Sequence, residues 1–272
     1  MRFSLTGVIY YLRSIPTLIQ GIRNWGEVVV MVFAKSGKKA HQIQLKDGSA
    51  FEVRTLMDIW ILKETCLDRQ YETFGTDIQD GWNVMDIGGG WGDFAVSIGR
   101  KHPQNRVIAF EPYPPSIELF ERNRILNQTS NVELVRKAVG AESGNLRLST
   151  KNKEAVQLST ADTQAETWID VESLSLGDAL KSLHIDRCDF LKMDCEGGEY
   201  DILLLASNDA LVSVDRICME IHDGVTKYNH TDLVRFLQDH GYQVRFESNP
   251  VHASLGMLYA FRNDRISKEP KI

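Results

Sequence analysis

Residues 84–94 read VMDIGGGWGDF, placing four glycines and two aspartates where an apolar strand passes into a helical pattern, DFAVSIGRKH. A strand that feeds a helix through a tight glycine turn opens a βαβ unit. Such units build parallel sheets with helices packed on both faces. The alternation continues along the chain. RVIAFEP predicts a second strand stopped by Pro112, SIELFERNRILN an amphipathic helix, and VELVRKAV a third strand. NLRLST suggests a further short strand, and residues 151–170 read as a polar loop with room for an edge strand. LSLGDAL reads as a short helix, CDFLKMDCEG as a strand ending in acids, GEYDILLLA as a helix and VDRICMEIHDG as another strand. HTDLVRFLQDHGY is a helix stopped by Gly241. YQVRFE and GMLYAFR then follow without a helix between them, which predicts an antiparallel hairpin at one sheet edge.

Before Trp82 the pattern differs. HQIQLKDGSAFEVR alternates apolar residues about Asp47-Gly48, a hairpin signal. DIWILKETCLDRQYETF spaces Ile59, Leu62 and Cys66 as a helix does. The first 25 residues mix aromatics with Arg13 and Arg23 and read as an amphipathic helix broken near Pro16. They lack the clean apolar core and small-residue cleavage site of a signal peptide. The longest apolar run near the start, residues 28–34, falls short of the roughly 20 residues of a membrane helix. Residues 1–80 are therefore expected to form an accessory region of helices and a β-hairpin, and residues 81–272 the main domain. A cap helix docked on that domain is the first reading of the N-terminal stretch, and a peripheral membrane or partner surface the second. The chain is expected in the cytoplasm.

The chain carries 37 acidic residues against 31 lysines and arginines, a formal net charge of -6. That balance disfavours nucleic acid as a partner, since phosphate binding needs clustered cations. Cys66, Cys188, Cys195 and Cys218 form no C-x-x-C pair. They read as reduced thiols rather than zinc ligands or disulfides.

In open α/β sheets, ligands bind beyond the carboxyl ends of the strands. In chain order those ends carry Asp86 with Gly88, Gly90 and Gly92, then Glu111, then Ala138 and Val139, then Asp194, Glu196 and Glu199, and finally Glu220 and His222. The glycine spacing is G-x-G-x-G, not the G-x-G-x-x-G of dinucleotide folds, and Asp86 and Asp93 beside it would repel a pyrophosphate. Asp86 suits a ligand with a cationic amino-acid head, or it orients the glycine loop. The glycines alone are equally explained by a tight turn. Glu111, ending the second strand about 20 residues past the loop, adds the stronger signal. A carboxylate there accepts hydrogen bonds from both ribose hydroxyls, so the pair points to a nucleoside. Lys192, if buried, needs an acid partner. Glu199 suits the start of the following helix.

At motif level, VMDIGGGWGDFAVSI, VIAFEP, NRILN, KAVG and DFLKMDCEGGEYDILLLA, followed by MEIH, resemble the FkbM-type S-adenosylmethionine-dependent methyltransferases. The resemblance spans residues 82–223, and its most specific segment, LKMDCEGGE, is close to the family's K-x-D-x-E-G-x-E. Gly89-Gly90 stand where the family often has Ala-Asn. The resemblance implies a class I methyltransferase (Rossmann-like) sheet of seven strands, with helices on both faces and a C-terminal antiparallel hairpin. It implies S-adenosylmethionine as cofactor. Asp86, Gly88, Gly90 and Gly92 would line its methionine end, Glu111 would hold the ribose, Ala138 and Val139 would lie near the adenine, and Asp194 would stand closest to the transferable methyl. It favours oxygen as the acceptor atom, in a hydroxyl on a small molecule, sugar or glycan.

A hydroxyl is a poor nucleophile at neutral pH and benefits from a base or a metal. His222 titrates nearest neutrality and is the expected base, with Asp194 and Glu196 as further catalytic candidates. A hydrogen-bonded strand-end histidine is the competing reading. Asp194, Glu220 and His222 form a candidate site for a divalent cation, Mg²⁺ or Mn²⁺. Two other classes compete with the methyltransferase. An NAD-dependent oxidoreductase or epimerase is disfavoured by the glycine spacing, by Asp86 and by the lack of a Tyr-x-x-x-Lys pair. A nucleoside-binding protein without catalysis would carry the same loop and acid. A nucleic-acid amino-methyltransferase would place an Asn-Pro-Pro-Tyr-type tetrad where DCEG stands. The sequence sets neither the acceptor nor the oligomeric state.

Overall fold

The computed structural model describes residues 14–33, 40–74, 76–150, 158–159 and 168–262. The first of these, residues 14–21, form one helix (α1) that includes Pro16, so the break expected near Pro16 is not found among the described residues. α2 (Trp25–Phe33) follows, and the hairpin signal becomes β1 (His41–Gln44) and β2 (Ala50–Val53), with His41 opposite Val53. The Asp47 carboxylate accepts from the Ser49 N–H at 2.8 Å and from its hydroxyl at 2.6 Å, which closes the turn. α3 (Leu56–Leu62) begins with a capping box in which Thr55 and Asp58 satisfy each other's backbone N–H. The predicted helix does not run on unchanged. It widens into a π turn over Lys63–Leu67 and then a 3₁₀ turn over Gln70–Glu72.

From here strands and helices alternate as β3 (Asn83–Ile87), α4 (Asp93–Lys101), β4 (Arg106–Phe110), α5 (Pro114–Leu126) and β5 (Val132–Val135). The predicted strand VELVRKAV divides after β5. The solvent-facing Arg136 does not suit a strand covered on both faces, and the chain leaves the main sheet there. β6 (Ala138–Gly140), β7 (Gly144–Thr150), β8 (Leu158–Ser159) and β9 (Trp168–Ser175) form a separate four-stranded sheet in the order β6-β9-β7-β8. α6 (Leu176–Ser182), β10 (Phe190–Met193), α7 (Glu199–Leu204), α8 (Asn208–Val212), β11 (Arg216–His222), α9 (His230–Asp239), β12 (Tyr242–Ser248) and β13 (Leu255–Arg262) complete the chain.

The main sheet has seven strands in the order β12-β13-β11-β10-β3-β4-β5. β11, β10, β3, β4 and β5 are parallel, and β13 pairs antiparallel with both β11 and β12. This is the class I methyltransferase arrangement that the resemblance implies, including its terminal hairpin. Every residue of β10 is buried, as expected of a central parallel strand. One apolar cluster joins Ile43 and Phe51 of the hairpin to Trp91, Phe94 and Phe120, and a second joins Leu180, Tyr200, Leu203, Leu233 and Leu237 on the other face. The hairpin is tied down by α5. Asn127 accepts from the Ala50 N–H at 3.0 Å and donates to the Ala50 carbonyl at 2.6 Å, while Asn123 accepts from the Glu52 N–H at 2.7 Å. Two amides one helical turn apart thereby act as a partner strand for the free edge of β2. Among the described residues no helix is long and apolar enough to cross a membrane.

Candidate active site

β3 ends at Ile87, and the four glycines beyond it serve different purposes. Gly88 has φ 78°, and a side chain on it would collide with the backbone carbonyl of Asp194. Glycine is required there because the ends of β3 and β10 pack backbone against backbone. Gly90 has φ 52°, and a Cβ there would meet nothing nearer than Asp93 Oδ1 at 4.0 Å. Its bare backbone faces an open cleft. Gly92 is turned away from that cleft, where a Cβ would press on Phe120 at 3.0 Å. Asp86 does not line the cleft either. It is fully buried behind the loop, with Lys192 Nζ 2.9 Å from its Oδ1. Lys192 Nζ also donates to the Gly88 carbonyl at 2.9 Å. Of the residues expected at the methionine end, Gly88 and Gly90 line the cleft, whereas Asp86 and Gly92 brace the loop from behind. The reason is electrostatic for Asp86, which a buried lysine draws inward, and steric for Gly92.

The cleft has a volume of about 780 Å³, within the roughly 300–1,000 Å³ of small-molecule sites. Glu111 lies along it at the end of β4. Its Oε2 accepts from the Gly90 N–H and its Oε1 from the Tyr113 N–H, each at 2.8 Å. Each oxygen keeps a further lone pair for a ligand hydroxyl. Burial pushes the Glu111 carboxyl up to about 7, against the opposing pull of those two N–H groups. Ala138 and Val139 of β6 add an apolar wall beside it.

Asp194 and Glu196, just past β10, and Glu220 and His222, at the end of β11, gather at the other end of the cleft. Facing donor and acceptor atoms of Asp194, Glu220 and His222 all lie within 4.8 Å of one another. His222 Nδ1 is 2.7 Å from Glu199 Oε1, and Nε2 is 3.4 Å from Glu196 Oε2. Glu199 is fully buried, and its second oxygen accepts from the Gly197 N–H at 2.9 Å. Burial opposes a charge on His222, but the hydrogen bond to Glu199 and the charges of Glu199, Asp194 and Glu196 outweigh it and push the ring up to about 10. His222, the base expected from sequence, thus stands among acids that favour its protonated form. Glu220 accepts no hydrogen bond from the described residues, and burial and the nearby Asp194 push it up to about 8.

The N-terminal region supplies a wall that the motifs did not indicate. Leu56, Met57, Trp60, Glu64 and Tyr71 line the cleft. Trp60 Nε1 donates to Glu64 Oε1 at 2.8 Å, and the Tyr71 hydroxyl reaches Asp194 Oδ2 at 3.4 Å. The i,i+4 spacing of Trp60 and Glu64 was visible in the sequence, but nothing local marks that they face a site.

A bare glycine backbone, a buried carboxylate with lone pairs left for a ligand, an apolar wall and an acidic far end together fit a nucleoside that carries a cationic sulfonium. Comparison with known proteins identifies the family. The family model described as the methyltransferase FkbM domain matches residues 83–244. Methyltransferase 1 of Beauveria bassiana (strain ARSEF 2860) is 28% identical over 230 residues, which cover 75% of this chain and 90% of the relative. The 31-O-demethyl-FK506 methyltransferase FkbM of Streptomyces tacrolimicus is 22% identical over 226 residues, 71% of this chain and 85% of the relative. The crystal structure of methyltransferase FkbM from Methylobacillus flagellatus aligns with a TM-score of 0.48 at 14% identity, over 75% of this chain and 54% of that one. Because the family model spans more than half of the sequence, the chain belongs to the FkbM methyltransferase family and is an S-adenosylmethionine-dependent methyltransferase.

Proposed function

We propose that the chain methylates a hydroxyl group on a small molecule, sugar or glycan. One observation carries this reading. A single cleft runs from Gly90 and Glu111 to Asp194, Glu220 and His222, so the cofactor-type surface and the acid cluster share one space. When bound, S-adenosylmethionine supplies an electrophilic methyl whose C–S bond breaks as the acceptor oxygen bonds to it, the electron pair remaining on sulfur. The protein's part is to hold the acceptor in line and to favour loss of its hydroxyl proton. Gly90 and Glu111 would fix the nucleoside end. Asp194 stands where an acceptor hydroxyl can lose its proton, with Glu220 beside it, and His222, anchored by Glu199, braces this end of the cleft. The name of the Streptomyces tacrolimicus relative, a 31-O-demethyl-FK506 methyltransferase, also supports oxygen as the acceptor atom.

The test is transfer of a labelled methyl group from S-adenosylmethionine to matched panels of alcohols, sugars and amines. Product confined to the hydroxyl panels, and lost with Glu111→Ala as binding of S-adenosylhomocysteine weakens, is the expected result. Methylation of amines alone would overturn the oxygen reading.

A further inference from the structure

Carboxylates outnumber cations at the far end of the cleft. Glu64, Asp194, Glu196 and Glu220 line it, and Glu199 lies buried beneath. Lys192 also lines it, but its ammonium is engaged by Asp86 and by the Gly88 carbonyl, each at 2.9 Å. His222 stands among these acids, and carboxylates gathered around one imidazole are a donor set for a divalent cation.

From this geometry we infer that Asp194, Glu220 and His222 bind a divalent first-row cation at the acceptor end of the cleft. Three independent features support the site. First, the backbone brings the ligands together. β10 and β11 are parallel neighbours with Met193 opposite Met219, so Asp194, just past the end of β10, and Glu220, still within β11, stand side by side. Glu220 and His222 are two apart on one strand and share a face. Second, the histidine is already oriented. The buried Glu199 takes Nδ1 at 2.7 Å, which turns Nε2 toward Asp194 and Glu220. A carboxylate behind a ligating imidazole is the usual way proteins fix such a ring. Among the described residues, Glu196 meets Nε2 at 3.4 Å, longer than an ordinary hydrogen bond. Third, the Glu220 carboxylate accepts no hydrogen bond from any described residue, and Asp194 receives only the long 3.4 Å contact from Tyr71.

Ligands about 2.1 Å from one ion lie roughly 3–4 Å apart, so a shift of about 1 Å in side-chain rotamers brings these three atoms onto one cation. Two carboxylates neutralise a 2+ charge, and one imidazole favours Mn²⁺, Fe²⁺ or Zn²⁺ over an all-oxygen ion such as Ca²⁺. A cation here would lower the pKa of an acceptor hydroxyl that reaches it, the proton leaving to water at the open cleft mouth. The inference rests on the hydroxyl reading for its purpose but not for its test.

The test is titration of Mn²⁺ alone into chelator-treated full-length protein, followed by the electron paramagnetic resonance signal of free Mn²⁺. One ion per chain is expected, bound at least tenfold more weakly by Glu220→Gln and by Asp194→Asn. Unchanged circular dichroism and S-adenosylhomocysteine binding would show that both variants remain folded. In the wild-type chain, Mn²⁺ should broaden the His222 ring resonances before those of the other histidines, which tests the site without any substitution. No binding below millimolar Mn²⁺, equal binding by both variants, or broadening centred on another histidine overturns the site. Mn²⁺ bound here by an enzyme that methylates only amines would instead overturn the hydroxyl reading and leave the site standing.

Discussion

A carboxylate buried beneath two backbone N–H groups is ionised only against the cost of its burial, and Glu111 is held at about 7 in this way. Ribose hydroxyls donate best to the ionised form. Lowering the pH from 8 to 6 should therefore weaken S-adenosylhomocysteine binding by about tenfold, as the ionised fraction falls. Calorimetric titrations at the two pH values check this, and Glu111→Gln should bind weakly at both. The ligand-free chain should show the opposite trend in stability. Between the ordinary carboxyl value of 4.5 and about 7, the folded state holds a proton that the unfolded chain has released, so this group removes stability as pH rises. Behind the loop, Lys192 and Asp86 pair with side chains at most 5% exposed. Lys192→Met would leave Asp86 buried without its cation, at a cost of about 3–5 kcal/mol, and adding Asp86→Asn should recover much of that loss. Urea unfolding of the single and double variants measures both. Lys192 needing a buried acid was legible in the sequence. That Asp86 would be that acid, and so be lost to the cleft, was not, because spacing along a strand does not say which neighbouring strand lies opposite.

At the scale of elements, the alternation from β3 to β13 was legible because each segment carries its own period, apolar run or turn residue. Three features escaped for one shared reason. The split of VELVRKAV into β5 and β6, the second sheet and the π turn after α3 depend on what the chain meets in space, and local periodicity is blind to that. The NRILN segment shows the same division. Its amphipathic side was readable, whereas the task of its two asparagines, pairing with the edge of β2, emerges only when α5 and the hairpin are brought together. Asn123 is fully buried and also donates to the Trp91 carbonyl at 3.0 Å. Asn123→Leu would leave the Glu52 N–H and the Trp91 carbonyl without their partner. The expected cost is about 1–3 kcal/mol in thermal or denaturant unfolding, well above that of a surface change such as Glu118→Gln.

At the scale of the whole molecule, two parts of the chain divide the cleft between them. The sheet ends supply the loop, Glu111 and the acids, and these are the positions where the sequence motifs lie. The segment from α3 to Tyr71 closes the opposite side with Leu56, Met57, Trp60 and Tyr71. Leu56 and Met57 are about half exposed, so this wall presents apolar surface to whatever enters beside the cofactor. A site built in this way can change its acceptor by changing the wall while keeping its cofactor, which is why motif reasoning reaches the chemistry and stops short of the substrate. The division can be measured. Truncating Trp60 removes the largest side chain of the wall and leaves the glycine loop, Glu111 and Asp194 unsubstituted. Trp60→Ala should raise KM for a hydroxyl acceptor by roughly tenfold, the usual scale for losing one large aromatic contact, while S-adenosylhomocysteine affinity stays within about twofold. Equal losses in both would place Trp60 against the cofactor and move the acceptor to the side bounded by Asn249 and His252, which line the cleft from the loop between β12 and β13. A change in kcat with KM unaltered would instead mean that the wall aligns the bound acceptor rather than holding it.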